Sequence, residues 1–112
     1  MGRAYYRRGW PLSFIRAVSR VDKSPVALKM RLEVRAGLFV QVYVNVATGT
    51  QNMVLVLGGQ RIYGRDCIGG QWHRHPYEDP DMHDTSPEGS RVATVAEFLA
   101  EVQEILEKAE LL

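Results

Sequence analysis

The stretch from Arg61 to Asp84, RIYGRDCIGGQWHRHPYEDPDMHD, concentrates the side chains of this sequence that can do chemistry. It carries all three histidines (His73, His75, His83), the lone cysteine Cys67, five carboxylates, three arginines, two tyrosines and Trp72. Three chemistries fit these residue types. The first is metal binding. Histidine and carboxylate suit zinc and other first-row ions, His73 and His75 project to one side of an extended chain, and His83 with Asp79, Asp81 or Asp84 can complete a site. The spacing matches no zinc signature and one cysteine excludes a thiolate-rich site, so no metal and no cofactor are assigned. The second is metal-independent RNA cleavage, which needs a base for the 2′-hydroxyl, an acid for the leaving oxygen and a cation on the phosphate. Histidine titrates near neutrality and fills either proton role. Arg65 or Arg74 supplies the guanidinium, and Tyr63, Trp72 or Tyr77 a ring for a base to stack on. Arg61, Tyr63, Trp72 and Arg74 are the expected nucleic-acid contacts. The third reading is structural: Asp66 accepting from loop amides, His75-Pro76 a packed turn, and Trp72 plugging the end of a sheet.

The elements that must position this stretch precede and follow it. Ser13–Val21 carries apolar residues at helical spacing, but its β-branched content and the DKSP that follows favour a strand. Asp22–Pro25 then makes a turn. Leu28, Met30, Leu32 and Val34 alternate with Lys29, Arg31, Glu33 and Arg35, and Leu38 to Val46 alternates in the same way after Ala36-Gly37. The shared period of two and the two-residue connection predict an antiparallel hairpin. A one-residue slip would turn its aliphatic side chains to water, which fixes the register. The continuous apolar run Met53–Leu57 suits a strand covered on both faces, or one at a subunit interface. Gly58-Gly59 leads into a last strand, Gln60–Cys67, with Arg61, Tyr63, Arg65 and Cys67 expected on one face. From Ile68 to Arg91 glycines and prolines punctuate a polar segment with no visible element, a long loop of the functional kind. Thr94 with Glu97 forms a capping box. Val95, Phe98, Leu99, Val102, Ile105, Leu106 and Ala109 then recur at i, i+3, i+4 spacing, an amphipathic helix that lies across one sheet face. The expected fold is α+β: a meander of four to five antiparallel strands backed by one C-terminal helix, with a long His/Pro-rich loop between the last strand and the helix.

At 112 residues the chain fits a single domain, 1–112, with residues 1–10 as a possible flexible N-terminal segment. The lone cysteine excludes an intrachain disulfide framework and suits a reducing compartment. No apolar run is long enough to span a bilayer, and no h-region follows MGRAYYRRGW, so a cytoplasmic location is expected. Charge is divided unevenly. Residues 1–35 carry nine Lys/Arg against two acids, net +7, and residues 36–112 carry five against eleven, net −6. A basic front half can dock a phosphate backbone, or the two halves neutralise each other within one fold or across a homodimer. Arg3, Arg7 and Arg8 among Tyr5, Tyr6 and Trp10 bind nucleic acid by charge and stacking, or pack on a neighbouring subunit.

The order of strands, an Arg-Asp on the last strand, a His- and Pro-rich loop, an acidic stretch and a helix resembles the TumE-like toxin family, small toxin components of two-gene toxin–antitoxin systems. The resemblance spans Phe14 to Leu106. It is carried by LKMRLEVRAGLFVQVYV, the YGRD of Tyr63–Asp66, the HRHP of His73–Pro76, the DMHD of Asp81–Asp84 and the terminal helix. The chain departs from the family pattern where Arg65 and Asp66 are adjacent, Arg74 separates the two histidines, and His83 stands alone as the second group. The resemblance implies Arg65, Asp66, His73, His75 and His83 as catalytic candidates, action on RNA, and an antitoxin partner with a helix-turn-helix domain. The rival expectation is a non-enzymatic dimeric binding or assembly module. Metal binding is a weaker third.

Overall fold

A computed structural model describes residues 11–112. A 3-10 helix, Pro11–Phe14, leads into six strands: β1 Ala17–Lys23, β2 Ala27–Arg35, β3 Leu38–Asn45, β4 Thr50–Leu57, β5 Gln60–Ile68 and β6 Gln71–His75. Among the described residues one α-helix follows, α1 Val95–Lys108. The strands form one antiparallel sheet in the order β1-β2-β3-β4-β5-β6, a pure meander. The α+β class and the helix on one sheet face match the expectation, while the sheet has one strand more. The basic, aromatic residues 1–10 lie outside the described residues.

The extra strand changes the account of the histidines. Gly69 and Gly70 adopt φ +59° and +79°, the left-handed pair that a two-residue hairpin turn requires. The chain therefore reverses at once, and Gln71–His75 pairs with β5 through Asp66↔His73 and Gly64↔His75. His73 and His75 are strand residues, where a loop was expected. A second correction concerns β5. The register shifts between Leu55 and Val56, leaving Ile62 without a cross-strand partner and pairing Arg61 with Val56. This bulge turns Arg61 to the face opposite Tyr63, Arg65 and Cys67.

Alternation sorts each strand between two environments. Leu32, Val34, Leu38, Val40, Val42, Met53, Leu55, Tyr63, Cys67 and Trp72 face α1 and are buried against Phe98, Leu99, Val102 and Leu106. Phe98, Val102 and Leu106 have no exposed surface. Each contributes about 1.5–3 kcal/mol of apolar burial before conformational entropy is subtracted. The capping box holds the helix start, with Thr94 Oγ1 accepting from the Glu97 amide (3.1 Å) and Glu97 Oε1 from the Thr94 amide (2.8 Å). β4, expected to be covered on both faces or to lie at a subunit interface, is interior to the sheet. Met53 and Leu55 are buried under α1, whereas Val54 and Val56 are only half-buried on the open face.

Candidate functional site

Three short-range facts of backbone pairing assemble the histidines. On β6, residues 73 and 75 share the open face of the sheet. Asp66 on β5 stands opposite His73. Beyond His75 the chain leaves the sheet, loops through Pro76–His83 and returns, and Arg74 and Asp84 exchange backbone hydrogen bonds in both directions (3.0 and 2.8 Å). That exchange sets His83 across from His75 on the same face. Side chains lock it from behind. Arg74 Nε and Nη2 both donate to Asp84 Oδ2 (2.9 and 2.6 Å), and Asp84 Oδ1 accepts from the Ser86 amide (3.0 Å). Gly89 packs directly on Asp84, where a Cβ would lie 2.1 Å from the Asp84 carbonyl oxygen. The Ser86 contacts first, then the Arg74 guanidinium, hold the Asp84 carboxyl down to about 2.

The imidazoles converge. Ring centroids lie 5.0 Å apart for His73–His75 and 4.9 Å for each of the pairs with His83. One ring nitrogen from each lies within 4.8 Å of the others. His73 Nε2 and His75 Nε2 are 3.2 Å apart, and Asp66 Oδ2 lies 3.2 Å from His75 Nε2 and 3.5 Å from His73 Nε2. His75 is buried, His73 and Asp66 are partly exposed, and His83 is exposed, so the centre has a protected floor and an open rim. His75 Nδ1 lies 2.9 Å from the Pro80 carbonyl oxygen. A carbonyl only accepts, so Nδ1 carries a proton and donates, and in the neutral form of the ring the lone pair lies at Nε2. Burial, then the nearby Arg61 guanidinium, lower the His75 pKa from its ordinary value, outweighing the Pro80 carbonyl and Asp66. Asn52, with its amide oriented to satisfy both partners, donates to Asp66 Oδ1 (3.2 Å) and to the Gln51 carbonyl (2.9 Å). A Cβ at Gly64 would press on the Met53 carbonyl oxygen at 3.2 Å and would touch Arg61 Cδ and His75 Cδ2 at ordinary van der Waals distances of 3.5 and 3.7 Å.

Of the expected catalytic set, His73, His75, His83 and Asp66 meet at one point, and Arg65 lies on the other face of β5. Its side chain is fully buried. Nε donates to Glu101 Oε1 (2.8 Å), Nη1 to the Glu88 carbonyl (2.9 Å), and Nη2 to Glu88 Oε2 (2.6 Å) and Glu101 Oε2 (3.0 Å). Burial opposes its charge, yet Glu101 and Glu88 raise its pKa above the ordinary arginine value. Arg65 thus ties sheet, loop and helix together. The expected nucleic-acid contacts divide in the same way. Arg61 reaches the histidine face, while Trp72 is buried in the core beside Cys67. Tyr63 stacks on Phe98 (5.6 Å between centroids) and donates to Glu101 Oε1 (2.8 Å). Burial and Glu101 push its hydroxyl up to about 12. Tyr63 and Arg74 border a cleft of about 600 Å³ on the helix side, walled also by Glu78, Glu88, Glu101 and Glu104. Those carboxylates make it a poor seat for phosphate.

The sequence did not single out the rest of the open face. The cross-strand rows Lys29–Tyr43–Asn52–Asp66–His73 and Arg31–Gln41–Val54–Gly64–His75 run from β2 to the centre. Arg20 pairs with Arg31 on β1, and the Arg31 guanidinium sits 4.0 Å over the Phe39 ring. Period-two alternation places these residues, but only the sheet order aligns the rows. Comparison of the chain with protein-family models, curated proteins and solved structures found no match.

Proposed function

We propose that this protein binds single-stranded RNA across its open sheet face and cleaves it at the histidine–aspartate centre. The observation that carries the reading is the shared face. Arg20, Lys29, Arg31 and Arg61 lie on the same side of the sheet as His73, His75, His83 and Asp66, and the glutamates of α1 and of the loop before it lie towards the other. Asp22, opposite Lys29, and Glu33, opposite Phe39, share this face, so its cations are interleaved with acids. Arg20, Arg31 and Arg61 are the ones placed to track a phosphate backbone, while the Arg31–Phe39 stack and Tyr43 offer flat surfaces to bases. A shallow hollow of about 400 Å³ bounded by Lys29, Gln41, Tyr43, Asn52 and Val54 adjoins the centre through the Asn52–Asp66 contact. At the centre, imidazole and carboxylate groups take and return the protons of a phosphodiester transfer, and Arg61 holds the phosphate. The resemblance to TumE-like toxins supports the same reading and adds a toxin role restrained by an antitoxin partner. A helix-turn-helix protein encoded beside this chain would support that role.

Incubating the purified protein with total RNA and with a labelled oligoribonucleotide tests the reading directly. Cleavage is expected, lost in His73→Ala, and lost when the scissile ribose carries no 2′-hydroxyl. Arg31→Glu should weaken binding and flatten its salt dependence. No binding and no cleavage, with or without divalent ions, would overturn the proposal.

A second reading is favoured by the sheet edge. Every residue of β1 is exposed, including Val18 and Val21, each 54% exposed, so the strand offers both backbone and apolar side chains to another chain. On this reading the protein is an assembly module that pairs β1 with β1 of a second copy. Light scattering after size exclusion should then show a dimer that a Val21→Lys variant converts to monomer.

A further inference from the structure

We infer that His73, His75, His83 and Asp66 form the binding site for one divalent ion of the zinc class, seated between β5, β6 and the returning end of the Pro76–His83 loop. The distances fit such an ion. Zinc–nitrogen bonds of about 2.0–2.1 Å in a tetrahedral site place neighbouring ligand atoms about 3.3–3.4 Å apart. The triangle His73 Nε2, His75 Nε2 and Asp66 Oδ2 has edges of 3.2, 3.2 and 3.5 Å. His83, exposed and with a ring nitrogen within 4.8 Å of those of the other two histidines, is placed to close the fourth direction.

The hydrogen-bonding groups point the same way. The Pro80 carbonyl accepts from His75 Nδ1, and three atoms able to act as acceptors, His73 Nε2, His75 Nε2 and Asp66 Oδ2, lie within 3.5 Å of one another. A single cation satisfies all three atoms at once. The outer contacts also match what ligands of a metal require. The non-ligating nitrogen of His75 donates to a backbone carbonyl, and the second oxygen of Asp66 accepts from Asn52. Three imidazoles and one carboxylate select a borderline first-row ion over magnesium or calcium, which prefer all-oxygen shells. The ion, the carboxylate and Arg61 together leave the rim positive, which suits an anionic ligand. This site goes beyond the RNA reading and does not depend on it: with the ion seated these four groups are ligands, and the proton transfers of that reading belong to the ion-free protein.

The test uses the full chain purified without a histidine tag, stripped with chelator and titrated with Zn²⁺ or Co²⁺ alone, followed by calorimetry and by the visible absorption of bound cobalt. One ion per chain is expected, with the intense bands of a low-coordinate cobalt site, and with no displacement by excess Mg²⁺. His83→Gln, at an exposed position, and Asp66→Asn should keep the fold by circular dichroism and lower affinity at least about 10–100-fold, the loss typical of outer-shell changes. Absence of saturable binding, or unchanged affinity in a His73→Gln/His83→Gln double variant, would overturn the site. An ion-loaded protein that leaves RNA intact would defeat the RNA reading and keep this one. RNA cleavage by a protein that binds no ion would do the reverse.

Discussion

Replacing Arg65 by alanine separates what the sheet needs from what the centre needs. The arginine is fully buried and makes four hydrogen bonds, to both oxygens of Glu101 and to the side chain and carbonyl of Glu88. Breaking a buried ion pair from one side costs about 3–5 kcal/mol, because a charge is left without its partner. Here the lower end applies. Glu101 and Glu88 are 23% and 51% exposed, and Arg91 Nη2 still donates to Glu88 Oε2 (2.8 Å) and Glu101 Oε2 (2.7 Å). The expected loss is therefore about 3 kcal/mol, read by urea unfolding with linear extrapolation. At about 4–8 °C per kcal/mol for a domain near this size, the melting temperature falls by about 12–24 °C. Ion affinity measured well below that temperature should not change, since the guanidinium and Asp66 Oδ2 lie on opposite faces of β5. A loss under about 1 kcal/mol would refute the structural assignment, and so would a stable variant whose centre no longer binds.

Two further outcomes follow from the clamp behind His83. Gly89→Ala forces a methyl group into the Asp84 carbonyl and should cost about 1–3 kcal/mol by thermal melting, with ion affinity falling as His83 shifts. Acid should loosen the same region. Asp84 and Glu88 are both held down to about 2, against ordinary values of 3.8 and 4.5. Hydrogen bonds from Ser86 and then Arg74 lower the first, and those from Arg91 and then Arg65 the second. Since the folded values are depressed, their stabilisation is complete above about pH 5 and is lost as the pH falls towards 2. Asp84→Asn should flatten that acid limb in a series of melts against pH, while an unchanged limb would show that other carboxylates govern it.

The hairpin of β2 and β3, the Gly58-Gly59 turn and the capped helix were legible because each is written locally, in a period of two, a Gly-Gly pair, or Thr94 and Glu97 three apart. The like pair Gly69-Gly70, by contrast, falls in the segment expected as a loop. β6 was not. Its inward face is Trp72 and Arg74, and an arginine reads as solvent-facing until its partner Asp84, ten residues away, is known. Arg65 misled for the same reason, since Glu101 lies 36 residues on. Arg61 was assigned to the wrong face because a single unpaired residue, Ile62, inverts the alternation, and nothing in QRIYG announces it. The clustering of the histidines in sequence was visible. Their convergence was not, because it depends on Arg74 and Asp84 exchanging backbone hydrogen bonds across a loop that carries no strand pattern.

That exchange has a consequence for how the centre is put together. Two of its imidazoles and its carboxylate are welded to neighbouring rungs of the sheet, whereas the third imidazole arrives on a tethered lasso fastened at Arg74 and Asp84. The lasso is pinned a second time where the Pro80 carbonyl accepts from His75 Nδ1, so the freely variable part is the bend before it, around Glu78 and Asp79. That bend can change size and sequence while the Pro80 and Asp84 fastenings hold, and the identity of the last donor becomes an adjustable trait of the protein.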